Sequence, residues 1–437
     1  MSDIERFESR MQRLLGDRYN DYVEVMKQLP VRGIRINTLK LDNHPIPGLC
    51  QKPSRYAVNG WIAEDGSIGN RKEYLSGCIY SQEPSASFAV TAMDLKPGMK
   101  VLDLCAAPGS KSTQIAEALQ NQGLLVANEI IPSRAKILKE NIERHGACNV
   151  IITNNDPAEV SSVFPEYFDA VLCDAPCSGE GMFRKNPDAK TEWSPEAVEA
   201  CARRQTSILE EAVKCLKPDG ILVYSTCTFS PEENEQNVKS LLEHHPELVL
   251  LPIDQEGGEP GLLLFAGSEN CRRIYPMDEG EGHFVAKLRK QHHETITKEL
   301  PLLKSDPVPK EVNQFLDEHL SHRFPYLYVK HDTVYGGTFP FIDVRPLKLV
   351  RHQVMLGTLR HGRFEPSHAL VMNSFAVFSP SVELSDEELL RYRRGEILQR
   401  PCEKGWTAVT VQNHAIGLAK SDGTILKNHY PKAFRIR

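Results

Sequence analysis

The stretch that decides the fold is KVLDLCAAPGSKSTQIAEAL, residues 100–119, where a short apolar strand passes through a glycine turn into a helix. In an open α/β sheet, ligands bind beyond the carboxyl ends of the strands, next to such turns. The small residues Ala106, Ala107 and Gly109 let the backbone come close to a ligand. Because the turn lacks the GxGxxG spacing of a dinucleotide site, it predicts a ligand without a pyrophosphate.

Strands and helices continue to alternate on the carboxyl side of this stretch. The apolar runs LLVANEI, NVIITN, FDAVLCD and ILVYSTC are separated by helical patterns such as PSRAKILKENIERHG. This alternation indicates βαβ units and a parallel sheet covered on both faces, an α/β fold. HFVAKLRK, near residue 285, is interpreted as a late strand, with the sheet edge as its candidate position.

The flanks of this α/β region have other patterns. The first forty or so residues predict two helices, Phe7 to Leu15 and Tyr19 to Leu29, and then the strand RGIRINTLK. Residues 290–310 lose periodicity and gain charge and proline, which predicts a linker. Beyond it, GWTAVTV and AIGLAKSDGTIL are broken by Gly and Asp, which predicts a small β-rich module.

Polar groups at the next two strand ends indicate the ligand. Glu129 ends the second strand, where a carboxylate can accept hydrogen bonds from both hydroxyls of a ribose. Asp156 follows the third strand and is placed to reach an adenine edge. A nucleoside without phosphates fits these groups better than a nicotinamide cofactor does, so the predicted cofactor is S-adenosyl-L-methionine.

Two cysteines close later strands: Cys177 in DAPCSGEG and Cys227 in YSTCTFSPEENE. Most free cysteines are structural, but both of these lie on the cofactor side of the predicted sheet. Such a pair suits alkylation of carbon 5 of cytosine, because a thiolate that adds to carbon 6 makes carbon 5 nucleophilic. The spacing alone does not decide which cysteine attacks.

Two more side chains complete the predicted catalytic set. Asp174 is assigned the hydrogen bond or proton that the adduct needs at N3 of the base. Lys111 opens the helix after the turn and can approach the base or the attacking thiolate, which a cation would favour. A solvated first-turn lysine is an equally weighted interpretation of Lys111. A cytosine in folded RNA must also leave its stack to reach this pocket.

Composition limits the class of protein. The 437 residues are 41% hydrophobic and 25% charged, which is typical of a globular chain of several domains. No apolar run approaches the ~20 residues that cross a bilayer. Eleven cysteines without a CxxC pair indicate neither a zinc site nor a disulfide framework. We therefore expect a cytoplasmic protein without a metal, and a monomer is the default.

Charge is unevenly distributed within the net −6. Residues 291–437 hold 20 Lys and Arg against 16 Asp and Glu, a net of +4, so the first 290 residues hold 32 against 42, a net of −10. A basic C-terminal part permits a polyanionic partner, although a surface charged for solubility explains it equally well. The candidate RNA-contacting residues are Arg391, Arg393, Arg394, Lys427, His429, Lys432, Arg435 and Arg437.

The motifs CAAPGSK, DAPCSGEG and YSTCT, in this order, resemble those of the RNA cytosine-5 methyltransferase superfamily, the Sun-type or NSUN enzymes. The segments RGIRINTLK and RRIYPMDEGEGHFVAKL resemble that family's flanking elements. The ending, from GRFEPSHAL through RYRRGEIL to KNHYPKAFR, resembles bacterial RsmF-type ribosomal RNA methyltransferases. The resemblance covers nearly the whole chain. It departs at Ser110, where many members have a second glycine, and at Met277, where histidine is frequent.

The resemblance implies a class I Rossmann-like methyltransferase domain with a small N-terminal α+β extension and a C-terminal PUA-like module that binds RNA. It implies methylation of cytosine C5 in RNA, with 16S ribosomal RNA as the favoured substrate. It also makes Cys227 the nucleophile, while Cys177 assists product release. The cofactor-binding residues that it implies are Cys105, Ala106, Ala107, Pro108, Gly109, Ser110, Lys111, Glu129, Asp156 and Asp174.

The expected division of the chain is an N-terminal RNA-binding region (1–75), the catalytic domain (76–290), a linker with an intermediate domain (291–375) and the PUA-like module (376–437). Three alternatives stay open. The first is transfer RNA as substrate. The second is a ribosome-assembly factor with a degenerate site, against which the intact catalytic residues count. The third is a small-molecule enzyme, which would leave the C-terminal module without a role.

Overall fold

The computed structural model describes residues 2–64, 68–292, 294 and 299–436. Parts of the predicted linker and the candidate RNA contact Arg437 lie outside these residues. Within the described ranges, no helix is long and apolar enough to cross a membrane.

Two helices and a small antiparallel sheet form the N-terminal region, as the opening residues predict. Helix α2 ends at Met26, earlier than the predicted Leu29, because the residue before Pro30 disfavours helical geometry. The strands pair in the order β2-β3-β1-β4. The elements are α1 (Asp3–Leu15), α2 (Tyr19–Met26), β1 (Gly33–Ile36), β2 (Cys50–Pro53), β3 (Gly60–Ala63), α3 (Lys72–Leu75), β4 (Ile79–Ser81) and α4 (Phe88–Thr91).

Five parallel strands form the centre of the largest sheet, in the order β9-β8-β5-β6-β7. The chain runs outward from β5 through β6 and β7, then returns to the other side of β5. The strand order therefore reverses at β5, where ligands bind in such sheets. The elements are β5 (Lys100–Asp103), α5 (Ser110–Leu119), β6 (Leu124–Asn128), α6 (Pro132–His145), β7 (Val150–Thr153), α7 (Pro157–Val163), β8 (Phe168–Asp174), α8 (Pro187–Glu192), α9 (Pro195–Cys215), β9 (Leu216–Thr226) and α10 (Glu235–His244).

Side chains alternate across this sheet and fill two cores. Leu102, Val171 and Tyr224 pack on one face, while their chain neighbours Val101, Leu172 and Val223 pack on the other. Because successive residues of a strand point to opposite faces, a strand buried on both sides must be apolar throughout. This confirms the predicted α/β fold with a covered parallel sheet.

Antiparallel strands extend the sheet beyond β9: β10 (Leu248–Leu251), β11 (Glu259–Pro260), β12 (Arg272–Ile274) and β13 (His283–Lys290). The edge position expected for HFVAKLRK is wrong. Strand β13 lies between β9 on one side and both β12 and β10 on the other. It is buried along almost its whole length because these neighbours cover it.

The region after the linker adds a strand to the catalytic sheet. Strand β16 pairs antiparallel with β7, while its neighbours form a separate sheet in the order β14-β15-β17-β18. The elements of this middle region are α11 (Lys310–His319), β14 (Tyr326–Lys330), β15 (Thr333–Gly337), β16 (Leu349–His352), β17 (Val354–Arg360), β18 (Arg363–Pro366) and α12 (His368–Met372). The middle region is therefore continuous with the catalytic sheet.

The C-terminal module is β-rich, as predicted. GWTAVTV and AIGLAKSDGTIL form the strands at its centre, in a sheet of order β19-β21-β22-β23-β20. Its helix begins at a capping box in which Ser385 and Glu388 exchange hydrogen bonds. The elements are β19 (Ser381–Glu383), α13 (Asp386–Arg394), β20 (Leu398–Gln399), β21 (Gly405–Val411), β22 (His414–Ser421) and β23 (Ile425–Asn428).

Candidate active site

Side chains of helix α6 hold the backbone of the turn between β5 and α5. The guanidinium of Arg134 donates to the carbonyl of Ala107 at 2.7 Å, and the amide of Asn141 donates to the carbonyl of Pro108 at 2.7 Å. These bonds fix the backbone of the turn. The turn is therefore shaped before any ligand binds.

Gly109 is required in this turn for two reasons. Its φ of +109° is unfavourable for other residues, and a Cβ there would lie 3.0 Å from the side chain of Leu138. Ser110 is the first residue of α5. Serine can replace the second glycine of the motif at position 110 because this position begins a regular helix.

A cavity of about 470 Å³ lies beside the turn, at the carboxyl ends of β5, β6 and β7. Three of the predicted cofactor residues, Cys105, Glu129 and Asp156, line it. Glu129 is buried; it accepts a hydrogen bond from the amide of Ile131 at 2.9 Å and lies 3.5 Å from Arg134. Asp156 is exposed and caps helix α7.

The composition of this cavity suits a nucleoside cofactor. Its volume lies in the range usual for small-molecule sites, and apolar walls from Leu104, Ile131, Pro157 and Ile208 suit a flat ring. Glu129 adds one buried carboxylate for paired hydroxyls. The residues present therefore fit the sulfonium nucleoside that the sequence predicts.

The two cysteines meet on the other side of the turn. Strands β8 and β9 are parallel neighbours, so the residues just beyond their carboxyl ends are adjacent. The sulfur atoms of Cys177 and Cys227 lie 3.2 Å apart, and both residues are half-buried. The residue before Cys177, Pro176, borders the cofactor cavity.

Asp174 and Lys111 form an ion pair beside the cysteines. The ammonium of Lys111 lies 2.7 Å from one carboxylate oxygen of Asp174, and the hydroxyl of Ser225 donates to the other at 2.7 Å. Burial alone would raise the pKa of Asp174, but Lys111 and His283, which is 3.7 Å away, hold it well below its ordinary value. Asp174 is therefore a carboxylate that accepts hydrogen bonds.

The charges around the sulfur pair favour a proton on Cys177. Its hydrogen bond with Cys227, together with burial, raises the pKa of Cys177 well above its ordinary value. Burial alone would lower the pKa of Lys111, but Asp174 and the sulfur of Cys227 raise it. Cys177 is therefore a thiol, and Lys111 is an ammonium.

Two buried glutamates that the sequence prediction missed tie the cysteine loops together. Glu180, three residues after Cys177, accepts hydrogen bonds from the amide of Phe229 at 2.8 Å and from the hydroxyl of Ser230 at 2.6 Å, on the other cysteine's loop. Trp193 donates to the same carboxylate at 2.8 Å. The loop of Cys177 thus supplies a carboxylate to the loop of Cys227, and Glu233 supplies one in the opposite direction.

Glu233 lies six residues after Cys227 and points back to the first loop. It accepts hydrogen bonds from the amide of Ser178 at 3.0 Å and from the side chain of Gln205 at 2.7 Å. Burial raises the pKa of Glu233 to about 7. The glutamates in DAPCSGEG and SPEENE were visible in the sequence. The sequence does not show, however, that Glu180 and Glu233 each bind the loop of the other cysteine.

A second strand-end acid, Asp103, has the opposite environment to Asp174. Ser112 donates to one of its oxygens at 2.6 Å, while the other oxygen is buried without a hydrogen-bond partner in the described structure. Burial raises the pKa of Asp103 to about 7. The sequence pattern predicts no role for Asp103.

The candidate RNA contacts divide into residues bonded to other parts of the chain and residues exposed at the surface. Arg391 pairs with Glu396 at 2.9 Å, and Arg393 donates to Asn70 of the N-terminal region at 3.4 Å. Arg435 donates to the carbonyl of Tyr430. Exposed candidates are Arg394, Lys427, His429 and Lys432. In the described part of the chain, no group of three His, Cys, Asp or Glu side chains is placed to hold a metal ion.

Four sequence models of known families match successive parts of the chain. The model described as N-terminal domain of 16S rRNA methyltransferase RsmF matches residues 5–84, and the 16S rRNA methyltransferase RsmB/F model matches 90–289. The RsmF first C-terminal domain matches 314–373, and the RsmF PUA domain matches 379–436. From the amino to the carboxyl end, the chain therefore matches the N-terminal, methyltransferase, first C-terminal and PUA domains of one family.

Relatives that match almost the whole chain carry the name of the same family. Ribosomal RNA small subunit methyltransferase F of Cronobacter sakazakii is 33% identical, over 94% of this chain and 92% of that protein. The Escherichia coli (strain K12) protein of the same name is 34% identical over 95% and 92%.

Among solved structures, a methyltransferase homolog from Pyrococcus horikoshii is 34% identical with a TM-score of 0.58, covering 64% of this chain and 93% of that one. The structure of NSun6 from the same organism with SFG is 23% identical, with a TM-score of 0.55 over 65% and 98%, and it supports the fold. The chain belongs to the RsmB/F family of 16S rRNA methyltransferases and is of the RsmF type.

Proposed function

We propose that this protein methylates carbon 5 of a cytosine in 16S ribosomal RNA, with Cys227 as the nucleophile. One observation carries the proposal: two sulfur atoms 3.2 Å apart beside the Lys111–Asp174 ion pair. Membership of the RsmB/F family supports the substrate. The cysteines support carbon 5, because methylation of a ring nitrogen or a hydroxyl needs no covalent adduct to the base.

S-adenosyl-L-methionine is the cofactor of this family, and when bound it supplies an electrophilic methyl group. We assign its binding to the turn and to the cavity beside it. Glu129 accepts hydrogen bonds from the ribose hydroxyls, and Asp156 lies at the adenine end. The full proposed set is Cys105, Ala106, Ala107, Pro108, Gly109, Ser110, Lys111, Glu129, Asp156 and Asp174.

The chain's own residues prepare the base. The Cys227 thiolate adds to carbon 6, and the electron pair of the C5–C6 bond moves toward N3, which takes a proton from solvent. The ionised Asp174 accepts a hydrogen bond from that N3–H, and Lys111 balances its charge at 2.7 Å. Carbon 5 is then the carbon of an enamine and is nucleophilic.

Release of the product reverses the addition. The proton on carbon 5 passes to a solvent water, the C5–C6 double bond forms again, and the C6–S bond breaks to return a thiolate to Cys227. The proton on N3 goes back to solvent. Cys177 assists because its thiol, 3.2 Å away, donates a hydrogen bond to the departing sulfur.

The division of the chain into four parts is retained as a proposal. Strand β4 pairs with β1, so we place the first boundary after Ser81 rather than at residue 75. The eleven cysteines are all free thiols, which supports a reducing cytoplasmic environment. We propose a monomer as the working form.

Methyl transfer to three acceptors tests the proposed function. Purified enzyme with radiolabelled cofactor is incubated with transcribed 16S ribosomal RNA, transfer RNA or free cytidine, and the RNA is digested to nucleosides. We expect label in 5-methylcytidine from 16S RNA alone. Label in transfer RNA would favour that alternative substrate. Cofactor binding without transfer to any acceptor would favour the assembly-factor alternative.

A further inference from the structure

A second cavity, of about 560 Å³, lies between the N-terminal region and the segment that follows Cys177. Strands β1 and β4 and the residues next to them form one side, and Lys185 lies on the other. The cavity lining includes Arg32, Gly33, Ser81, Gln82, Glu83 and Lys185. Their chemistry is mostly polar, unlike that of the cofactor cavity.

The walls of this second cavity connect to the cofactor turn. The side chain of Gln82 accepts a hydrogen bond from Arg35, which also donates to the carbonyl of Ser110 at 3.0 Å. Arg35 is fully buried and forms a paired contact with Glu117 at 2.8 Å on helix α5. Strand β1 therefore has a fixed position relative to the turn.

The opposite wall connects to the cysteines. The amide of Gly181, between Cys177 and Lys185, donates to the carbonyl of Cys227 at 2.9 Å. Arg184, the neighbour of Lys185, pairs with Glu281 at 2.7 Å. Glu281 also accepts from the amide of Val31, next to Arg32, at 2.8 Å. The buried carboxylate of Glu281 thus binds the chain neighbours of both Arg32 and Lys185 and fixes the distance between these two cations.

The acidic groups near this cavity are already engaged. Glu83 accepts hydrogen bonds from the amides of Ser85 at 3.0 Å, Ala86 at 2.8 Å and Glu281 at 3.0 Å. The side-chain ammonium of Lys185 has no hydrogen bond or ion pair within the described ranges, although its backbone amide donates to the carbonyl of Met182 at 3.0 Å. Burial lowers its pKa, opposed by Glu83 and Glu281 and reinforced by Arg184 and Arg32. A half-buried cation without a direct partner is stabilised by an anionic ligand.

We propose that this cavity holds the RNA backbone next to the target cytosine, with Arg32 and Lys185 paired to phosphates. The proposal rests on the proposed function and specifies how its substrate is held. A base that leaves its stack needs the neighbouring backbone fixed, and phosphate contacts provide that positioning without reading sequence. The location supports this role, because one wall is linked through Arg35 to the carbonyl of Ser110, and the other belongs to the segment in which Gly181 bonds to Cys227.

The test measures binding of transcribed 16S ribosomal RNA by filter assay across a range of KCl concentrations. The variants are Arg32→Gln and Lys185→Gln, with Lys185→Arg as the charge-preserving partner. We expect each Gln variant to bind on the order of fivefold more weakly, with the salt slope reduced by about 0.7 per lost phosphate contact. Lys185→Arg should retain the wild-type slope.

Lys214→Gln is the matched control. The side chain of Lys214 is exposed at the end of α9. Its backbone carbonyl accepts a hydrogen bond from the amide of Glu166, close to the amino end of β8 and away from the cysteines. Cofactor affinity and melting temperature confirm that each variant is folded. Gln variants with the affinity and slope of Lys214→Gln would overturn the proposal. Wild-type enzyme that binds the RNA but transfers no methyl group would refute the proposed function instead, and the slopes would still test the cavity.

Discussion

The cofactor end and the cysteine end of the site are neighbours in one sheet but are built differently. At the cofactor end, the backbone turn and Glu129 surround an open cavity of about 470 Å³. At the cysteine end, buried carboxylates cross between two loops and hold two sulfur atoms 3.2 Å apart. In the proposed function, the first region exchanges a ligand at every turnover and the second forms a covalent bond.

The two strand-end aspartates show the same contrast in charge. Asp174 is paired with Lys111 and its pKa is held low, whereas Asp103 has one unpartnered oxygen and a pKa raised to about 7. The pairing, and not the position at a strand end, decides which acid is ionised. Substitutions at the two ends should therefore have different effects.

The largest effect expected here outside the cysteines is from Asp174→Asn. It replaces the charged acceptor of the N3–H bond with a neutral amide and leaves Lys111 buried without its anionic partner. We expect kcat to fall about 10³-fold and the free energy of unfolding to fall by about 3 kcal/mol. Single-turnover kinetics and urea unfolding measure the two. The double variant Asp174→Asn/Lys111→Met should regain stability without activity; a double variant that regains activity would contradict the assignment.

Glu180→Gln should have the next largest effect, because it weakens the contact between the cysteine loops. An amide has one acceptor oxygen where the carboxylate uses two, so the loop of Phe229 and Ser230 loses a partner. We expect kcat to fall about 30-fold, in line with a small displacement of reacting atoms. Cofactor affinity, measured by calorimetry, should stay at the wild-type value. A variant that loses cofactor affinity instead would show that the two ends are not independent.

Glu129→Gln tests the cofactor end. It preserves the shape of the side chain but weakens hydrogen bonds to paired hydroxyls, since the charged acceptor is lost. We expect the KM for the cofactor to rise about tenfold, with kcat recovered when the cofactor saturates. A fall in kcat at saturating cofactor would place Glu129 in the chemical step.

The last prediction concerns stability alone and is a pH dependence from Asp103. Its pKa is about 7 in the folded protein and near 3.9 when unfolded, so the folded state holds the extra proton between these values. The free energy of unfolding must then decrease as pH rises from about 4 to 7, by up to about 1.4 kcal/mol per pH unit. Asp103→Asn should reduce this slope in urea unfolding at several pH values. An unchanged slope would show that Asp103 is ionised throughout.

Much of the site could be predicted because its residues follow strands. Parallel strands bring their carboxyl ends to one edge, so Glu129, Asp174, Cys177 and Cys227 fall near one another once the βαβ pattern is recognised. The resemblance was still needed to favour Cys227 over Cys177. The structure adds that the hydrogen bond with Cys227 and burial raise the pKa of Cys177.

Contacts between distant segments could not be predicted. Glu180 and Glu233 each bind the other cysteine's loop, about fifty residues away in sequence. The position of β13 was missed for a similar reason, because β12 and β10 are too short to be recognised from their letters. The pairing of β16 with β7 also joins residues nearly two hundred apart. Local periodicity carries no information on such partners.

Trapping the covalent adduct tests the central claim most directly. Cys227→Ala and Cys177→Ala enzymes are incubated with 16S ribosomal RNA and cofactor and run on a denaturing gel. The account predicts a protein–RNA band for Cys177→Ala, which forms the bond but releases it slowly, and none for Cys227→Ala. A band for Cys227→Ala and none for Cys177→Ala would make Cys177 the nucleophile and contradict the account.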